Sequence, residues 1–284
     1  MNLTRPGTKH KRPQPAVKHS THFGVILFGL AGCGGGSDQG DDDPLSSYVP
    51  PAANYEPPVL VDANFNVLEV ELGKPYWTAS LLMDDVEGSV EPMLERYSRV
   101  IEYSFASDQP SYDQVDVIGW QAATPAMRSV GRQIFENLQT YLDVTFVEVL
   151  DPLDMNVITL GQSDQPATVG FAYFPSLDFE IGMDVFISDD YAAPRFIGSY
   201  VTNFDYEVLL HEIFHALGLK HSFEADGDNV NVLSAQEDLS TYTAMSYSLD
   251  PSAFSGDARV LDLMALTELY GVNPSYRSED DTYA

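Results

Sequence analysis

The stretch His211-Glu212-Ile213-Phe214-His215-Ala216-Leu217-Gly218-Leu219-Lys220-His221 decides how the rest of the chain is read. His211 and His215 are four residues apart, so on a helix they share one face and both imidazoles reach one ion. Glu212, beside the first of them, comes within reach of a water on that ion. Gly218 takes a left-handed conformation at little cost, which ends the helix and turns His221 back toward the same point. Three neutral imidazoles leave a coordination position open, as in a catalytic zinc site and unlike a closed structural one. The spacing HExxHxxGxxH fixes five positions, and average residue usage makes a chance match in a chain this long roughly one in 10^5. The alternative, an amphipathic helix with surface histidines, has to accept that coincidence.

Outward from this stretch, histidine and cysteine usage narrows the chemistry. The six histidines are His10, His19, His22, His211, His215 and His221, and Cys33 is the single cysteine. The first 32 residues hold Arg5, Lys9, Lys11, Arg12 and Lys18, then the apolar run Phe23 to Ala31. That run is too short to span a bilayer and reads as the core of a secretory signal. It ends in Leu30-Ala31-Gly32-Cys33, which resembles the lipobox of bacterial lipoproteins, where the cysteine is lipidated and becomes the new N-terminus. A plain signal peptide with an incidental cysteine is the alternative. Cleavage before Cys33 would leave only the three motif histidines, with none for a Ser-His-Asp triad and no thiol for a Cys-His pair.

The 284 residues carry a formal charge of −29, with 14 basic and 43 acidic side chains. The leader holds five of the basic residues and none of the acidic ones, so cleavage leaves 9 against 43, or −34. Such a polyanion avoids nucleic acid and anionic membrane surfaces. Solubility, in a salty habitat among others, accounts for the charge. Calcium is possible, but neither an EF-hand loop nor a glycine-aspartate nonapeptide repeat supports it.

Residues 33–72 read as a lipidated tether, with Gly34 to Ser37 flexible, Asp41 to Asp43 solvated, and Pro44, Pro50, Pro51, Pro57 and Pro58 opposing regular structure. A pro-segment is the other reading, without a cysteine switch, since Cys33 is assigned to lipid. The folded part is expected from Gly73 to Ala284. Residues 78–86 suit a short helix, and Arg99 to Ala106 alternate as a strand. Thr124-Pro125 opens a helix whose Met127, Val130, Ile134, Leu138 and Leu142 form a core stripe. Strands follow at 144–150, 155–160, 168–174 and 183–188. The motif helix starts near Thr202, where Thr202 and Asp205 have capping-box spacing. A last helix spans Val260 to Tyr270, with Asp257 as a possible cap and Gly271 as its stop.

HEIFHALGLKH followed by Ala244-Met245-Ser246-Tyr247 resembles the metzincin metallopeptidases, and within them the serralysin branch. The segments LDLMALTELYGVN (261–273), IEYSFA (101–106), GFAYFP (170–175) and GKPYW (73–77) add to the resemblance, which spans about residues 73–280. It implies an α+β fold of the metzincin (zincin-like) kind: a twisted, mainly parallel sheet with an antiparallel edge strand, an active-site helix and a helical C-terminal subdomain. By the same resemblance His211, His215 and His221 bind one zinc ion, and Glu212 is the general base. Met245 is a hydrophobic floor beneath the histidines. Tyr247 stabilises the oxyanion, or else serves only in packing. Gly170, Phe171, Ala172 and Tyr173 form the edge strand that pairs with an extended protein or peptide substrate.

Three departures stand out. The glycine-aspartate repeats usual after a serralysin domain are absent before Ala284, so calcium dependence is not inherited from them. Phe214 stands where glycine is often found, which predicts a differently shaped cleft. GFAYFP lacks the histidine that holds a structural zinc in matrix metallopeptidases. The expectation is an exported monomeric zinc endopeptidase, lipid-anchored to the outer membrane or cell surface. A non-catalytic surface lipoprotein that uses a peptidase fold to bind a partner is the competing class. It does not explain why Glu212, Met245, Tyr247 and all three histidines are present together.

Overall fold

Hydrophobic patterning at two periods, that of strands and that of helices, produces, among the described residues, a mixed sheet of six strands packed with helices. The computed structural model describes residues 74–109, 117–150, 157–165, 168–176, 183–198, 201–250 and 256–276. The basic leader, Cys33 and the expected tether lie outside them.

The chain enters through α1 (Tyr76–Ala79) and α2 (Val86–Arg96) and continues into β1 (Val100–Ser104) and β2 (Gln121–Ala122). The helix expected over residues 78–86 does not form. Residues 80–85 instead form turns on either side of a single bridge to the turn after the histidine helix, where Leu82 bridges Leu219 and Lys220 N–H donates to Leu81 O at 2.7 Å. A partner distant in sequence thus overrides local helix preference. Helix α2 was not foreseen: Gly88 and Pro92 both weaken a helix interior, yet Val86, Val90, Met93 and Leu94 bury one face.

Helix α3 (Pro125–Tyr141) begins as its sequence predicts, with Thr124 Oγ1 accepting from Met127 N–H at 3.2 Å. Its stripe of Met127, Val130, Ile134, Leu138 and the following Leu142 is buried. It connects β1 to β3 (Thr145–Val149), a parallel neighbour in register from Val100 opposite Thr145 to Ser104 opposite Val149. Strand β4 (Val157–Ser163) is buried throughout and pairs in parallel with both β1 and β6 (Val185–Ser188). Strand β5 (Gly170–Ala172) closes this edge antiparallel to β6, giving the order β3-β1-β4-β6-β5, while β2 pairs antiparallel with β4. The sheet is therefore mostly parallel, within the α+β class expected.

Helix α4 (Asp189–Arg195) follows β6, and α5 (Asn203–Ala216) carries the first two histidines. The capping box of α5 is formed in both directions: Asp205 N–H donates to Thr202 Oγ1 at 3.1 Å, and Thr202 N–H donates to Asp205 Oδ2 at 3.2 Å. Every residue of α5 from Asp205 to Ala216 is buried. It packs on β5 and β6 and on α3, and a helix covered on all sides needs no polar face. After turns through residues 217–250, α6 (Val260–Tyr270) packs against α1 and α2. Asp257 is not its cap. The helix starts after Arg259, whose N–H donates to Asp262 Oδ2 at 2.9 Å. Gly271, at φ 74°, ends it. No helix among the described residues is long and apolar enough to cross a membrane.

Candidate active site

The C-terminal half of α5 places His211 and His215 one turn apart, and Leu217 ends the helix. Gly218 then adopts φ +95°, and a Cβ there would meet Val86 Cγ2 at 2.6 Å, so both conformation and packing require glycine. The reversal brings His221 Nε2 to 3.3 Å from His211 Nε2 and 3.1 Å from His215 Nε2.

Each ring is oriented from behind. His211 Nδ1 lies 2.7 Å from Ala244 O, His215 Nδ1 lies 2.7 Å from Leu219 O, and His221 Nδ1 lies 2.9 Å from Glu224 Oε2. Donation of N–H at these three positions leaves each Nε2 with a lone pair, and the three lone pairs converge. Two nitrogens each about 2.05 Å from a tetrahedral ion sit about 3.3 Å apart, so the observed spacing fits a zinc-sized cation. Burial, added to by the neighbouring His221, drives His211 down to about 3, and burial drives His215 well below its ordinary value. Both are therefore in the neutral form that ligates. His211, His215 and His221 are the group of potential metal ligands that comes together among the described residues.

Glu212 is 1% exposed, and its Oε2 has no hydrogen-bond partner. Burial raises its carboxyl to about 8; a cation held by the histidines would lower it again. A buried, unpartnered carboxylate oxygen next to three convergent imidazoles is a second sign that the site is built for a charged guest. Gly170 of β5 lies directly against this carboxylate: a Cβ there would meet Glu212 Cγ and Oε1 at 2.9 Å.

Among the other expected residues, Tyr247 also reaches this point. Tyr247 Oη lies 2.8 Å from His221 Nε2, and burial, with the charges of Glu212 and Glu224, pushes its phenol upward. Met245 is fully buried. A cleft beside Glu212 is lined by Phe204, Val208, Ser246, Tyr247 and Leu249. Phe214 is fully buried in the apolar core. In β5, Ser188 N–H donates to Val169 O and Tyr173 N–H donates to Asp184 O, both at 2.9 Å. Main-chain groups alternate along an antiparallel ladder, so those of Gly170 and Ala172 face the open side, while Phe171 and Tyr173 turn theirs inward to β6. Cys33 lies outside the described residues.

Other supports were not read from the sequence. Asp262 on α6 accepts from Thr243 Oγ1 at 2.6 Å and from Ala244 N–H at 3.0 Å. It thereby holds the turn whose Ala244 carbonyl orients His211. Its position three residues into α6 was the available signal. Glu207 and Arg259 form a buried pair at 2.7 Å between α5 and the start of α6. Replacing Asp262 with alanine leaves buried donors at Thr243 and Ala244 unpaired. The expected loss is about 2–4 kcal/mol in chemical denaturation; a loss below about 0.5 kcal/mol would contradict this role.

No protein-family model matches the chain. Among curated proteins, the serralysin of Photorhabdus laumondii subsp. laumondii is 24% identical over 205 residues, covering 64% of this chain and 41% of the relative. The serralysin of Photorhabdus luminescens is 23% identical over 205 residues, covering 64% of this chain and 40% of the relative. The chain thus spans well under half the length of the curated relatives it matches. A solved structure of myroilysin aligns with TM-score 0.38 and 16% identity, over 60% of this chain and 92% of that one. The GM1 bound form of the ECX AB5 holotoxin aligns with TM-score 0.33 and 12% identity, over 72% of this chain and 94% of that one. Overlaps of this size do not by themselves assign the fold.

Proposed function

We propose that this chain is a zinc-dependent endopeptidase with a metzincin fold of the serralysin kind, including a helical C-terminal subdomain, held at a bacterial membrane by a lipid on Cys33. The observation that carries the catalytic part is the convergence of three Nε2 atoms beside the unpartnered carboxylate of Glu212. Similarity to the Photorhabdus serralysins supports the same reading.

His211, His215 and His221 would hold the ion. A zinc ion in such a site supplies water activation near neutral pH and polarises a peptide carbonyl. The protein's own groups do the rest. Glu212 takes the proton of the attacking water on its carboxylate and delivers it to the amide nitrogen as the C–N bond breaks. Burial suits the carboxylate to both roles, because it favours the protonated form between the two transfers. The Tyr247 hydroxyl donates to the carbonyl oxygen as negative charge develops there. The outward N–H and C=O groups of Gly170 and Ala172 take an extended peptide as an additional strand, which places a bond within the peptide, not its end, over Glu212. Met245 closes the floor beneath the imidazoles.

Tyr247→Phe removes the hydroxyl and keeps the ring packing against Phe223. The expected result is a fall in kcat of about 10- to 1000-fold with KM changed little, read from initial rates on a quenched peptide. An unchanged kcat would assign Tyr247 to packing alone.

Residues 1–32 act as the export signal, Cys33 as the lipid acceptor, and residues 34–72 as a tether that carries the peptidase domain, residues 73–284, away from an outer-membrane or cell-surface anchor. Cys33→Ser in the full chain is expected to move the protein from the membrane pellet to the soluble fraction after cell fractionation. Retention in the pellet would remove the lipid anchor from this account.

A further inference from the structure

We infer that Lys220 is a positioning residue for the histidine site, its ammonium acting as a built-in cation that locks the loop carrying His221. The inference rests on reading the three histidines as a metal site. Lys220 is next to His221 in sequence and is 4% exposed. Its Nζ donates to Ser80 O at 2.7 Å, Glu224 O at 2.6 Å and Asn231 O at 2.9 Å, with His221 O more distant at 3.5 Å. Three N–H donors thus meet the three close main-chain carbonyls, a cage that compensates a buried charge. Among the described residues it makes no ion pair with a carboxylate, so its donors serve the backbone.

The three carbonyls come from two separate stretches, and both reach the histidines. Ser80 begins a strap whose Leu81 O accepts from Lys220 N–H at 2.7 Å and whose Met83 N–H donates to Gly218 O at 3.2 Å. Asn229 Nδ2 fastens the strap from the other side, donating to Ala79 O and Leu82 O at 2.8 Å each. Leu82 bridges Leu219, and the Leu219 carbonyl is the one that orients His215. On the loop side, Lys220 holds the main chain of Glu224, and the Glu224 carboxylate orients His221 at 2.9 Å. One ammonium therefore fixes the backing of two of the three imidazoles. Without it, three carbonyls and a polar loop face one another with nothing to draw them together.

Cobalt(II) titration of the full chain, followed by its visible spectrum, tests this. Wild type is expected to bind one equivalent, and Lys220→Met to bind about tenfold more weakly or worse, as for other loss of support behind metal ligands. In the metal-free proteins, hydrogen exchange at residues 79–84 and 219–231 should be faster in Lys220→Met than in wild type. Added ammonium chloride should restore cobalt binding to Lys220→Ala, while sodium chloride at equal ionic strength should not. Wild-type affinity and wild-type exchange in Lys220→Met would overturn the inference. Should the Lys220 variants fail to fold, Asn229→Ala releases the strap from the other side: weaker cobalt binding supports the inference and unchanged binding overturns it. If wild type binds no cobalt, the metal-site reading fails, and exchange in the metal-free proteins still decides the clamp.

Discussion

Replacing His215 with alanine is expected to abolish stoichiometric zinc binding and, with it, all peptide hydrolysis. His215 sits between the other two ligands in the chain and is backed by Leu219 O and the edge of the Phe174 ring. Two imidazoles and a cavity remain after the substitution. Loss of a supporting group behind a ligand costs about 10- to 100-fold in metal affinity, so loss of the ligand itself should exceed about 100-fold. The predicted pattern is one zinc per chain in wild type by elemental analysis, and none in the variant after dialysis. A chelator should bring wild type to the variant's level, and returned zinc should rescue wild type alone. Full zinc occupancy in His215→Ala would remove this histidine from the site.

The second large effect is expected at Glu212. Glu212→Gln keeps the shape that Gly170 packs against but takes away the group that accepts and returns a proton. General acid–base groups contribute about 10^2- to 10^4-fold, so kcat should fall by that amount with zinc content unchanged. The contrast with His215→Ala separates the roles: one variant loses the ion and the other keeps it. Gly170→Ala offers a graded check from the opposite side, because its new Cβ would press on the carboxylate at 2.9 Å. A Glu212→Gln enzyme as fast as wild type would mean that the proton moves by another route.

The legible parts of this site were those written at short range. His211, His215, Gly218 and His221 lie within one helix and one turn, and helical geometry with the left-handed Gly218 brings the three histidines to a point. Thr202 with Asp205, and Thr124 with Pro125, are local start signals, and both mark helix starts in the structure. Strands β1, β3, β4, β5 and β6 show their own alternation or apolar runs, while the two-residue β2 carries no such signal. What escaped were features that depend on which distant segments meet. The strap at residues 80–85 looked helical because its pairing partner lies near Leu219. Nothing local marks Lys220 as buried, since its Ser80 partner is 140 positions away. Glu207 and Arg259 pair across 52 residues of sequence, which only the packing of α5 beside the start of α6 reveals. Asp257 was the more obvious cap for the last helix, yet Asp262 takes the main-chain N–H groups at both Arg259 and Ala244.

The central claim is peptide-bond hydrolysis at the three-histidine site, and a cleavage profile tests it most directly. Zinc-loaded protein would be incubated with a mixed peptide library and the products read by mass spectrometry, beside Glu212→Ala and a chelator-treated sample. Cuts within peptides, with a consistent preference around the scissile bond, are expected in the zinc-loaded wild type alone. No cleavage by the zinc-loaded wild type, or the same cuts from Glu212→Ala, would contradict it.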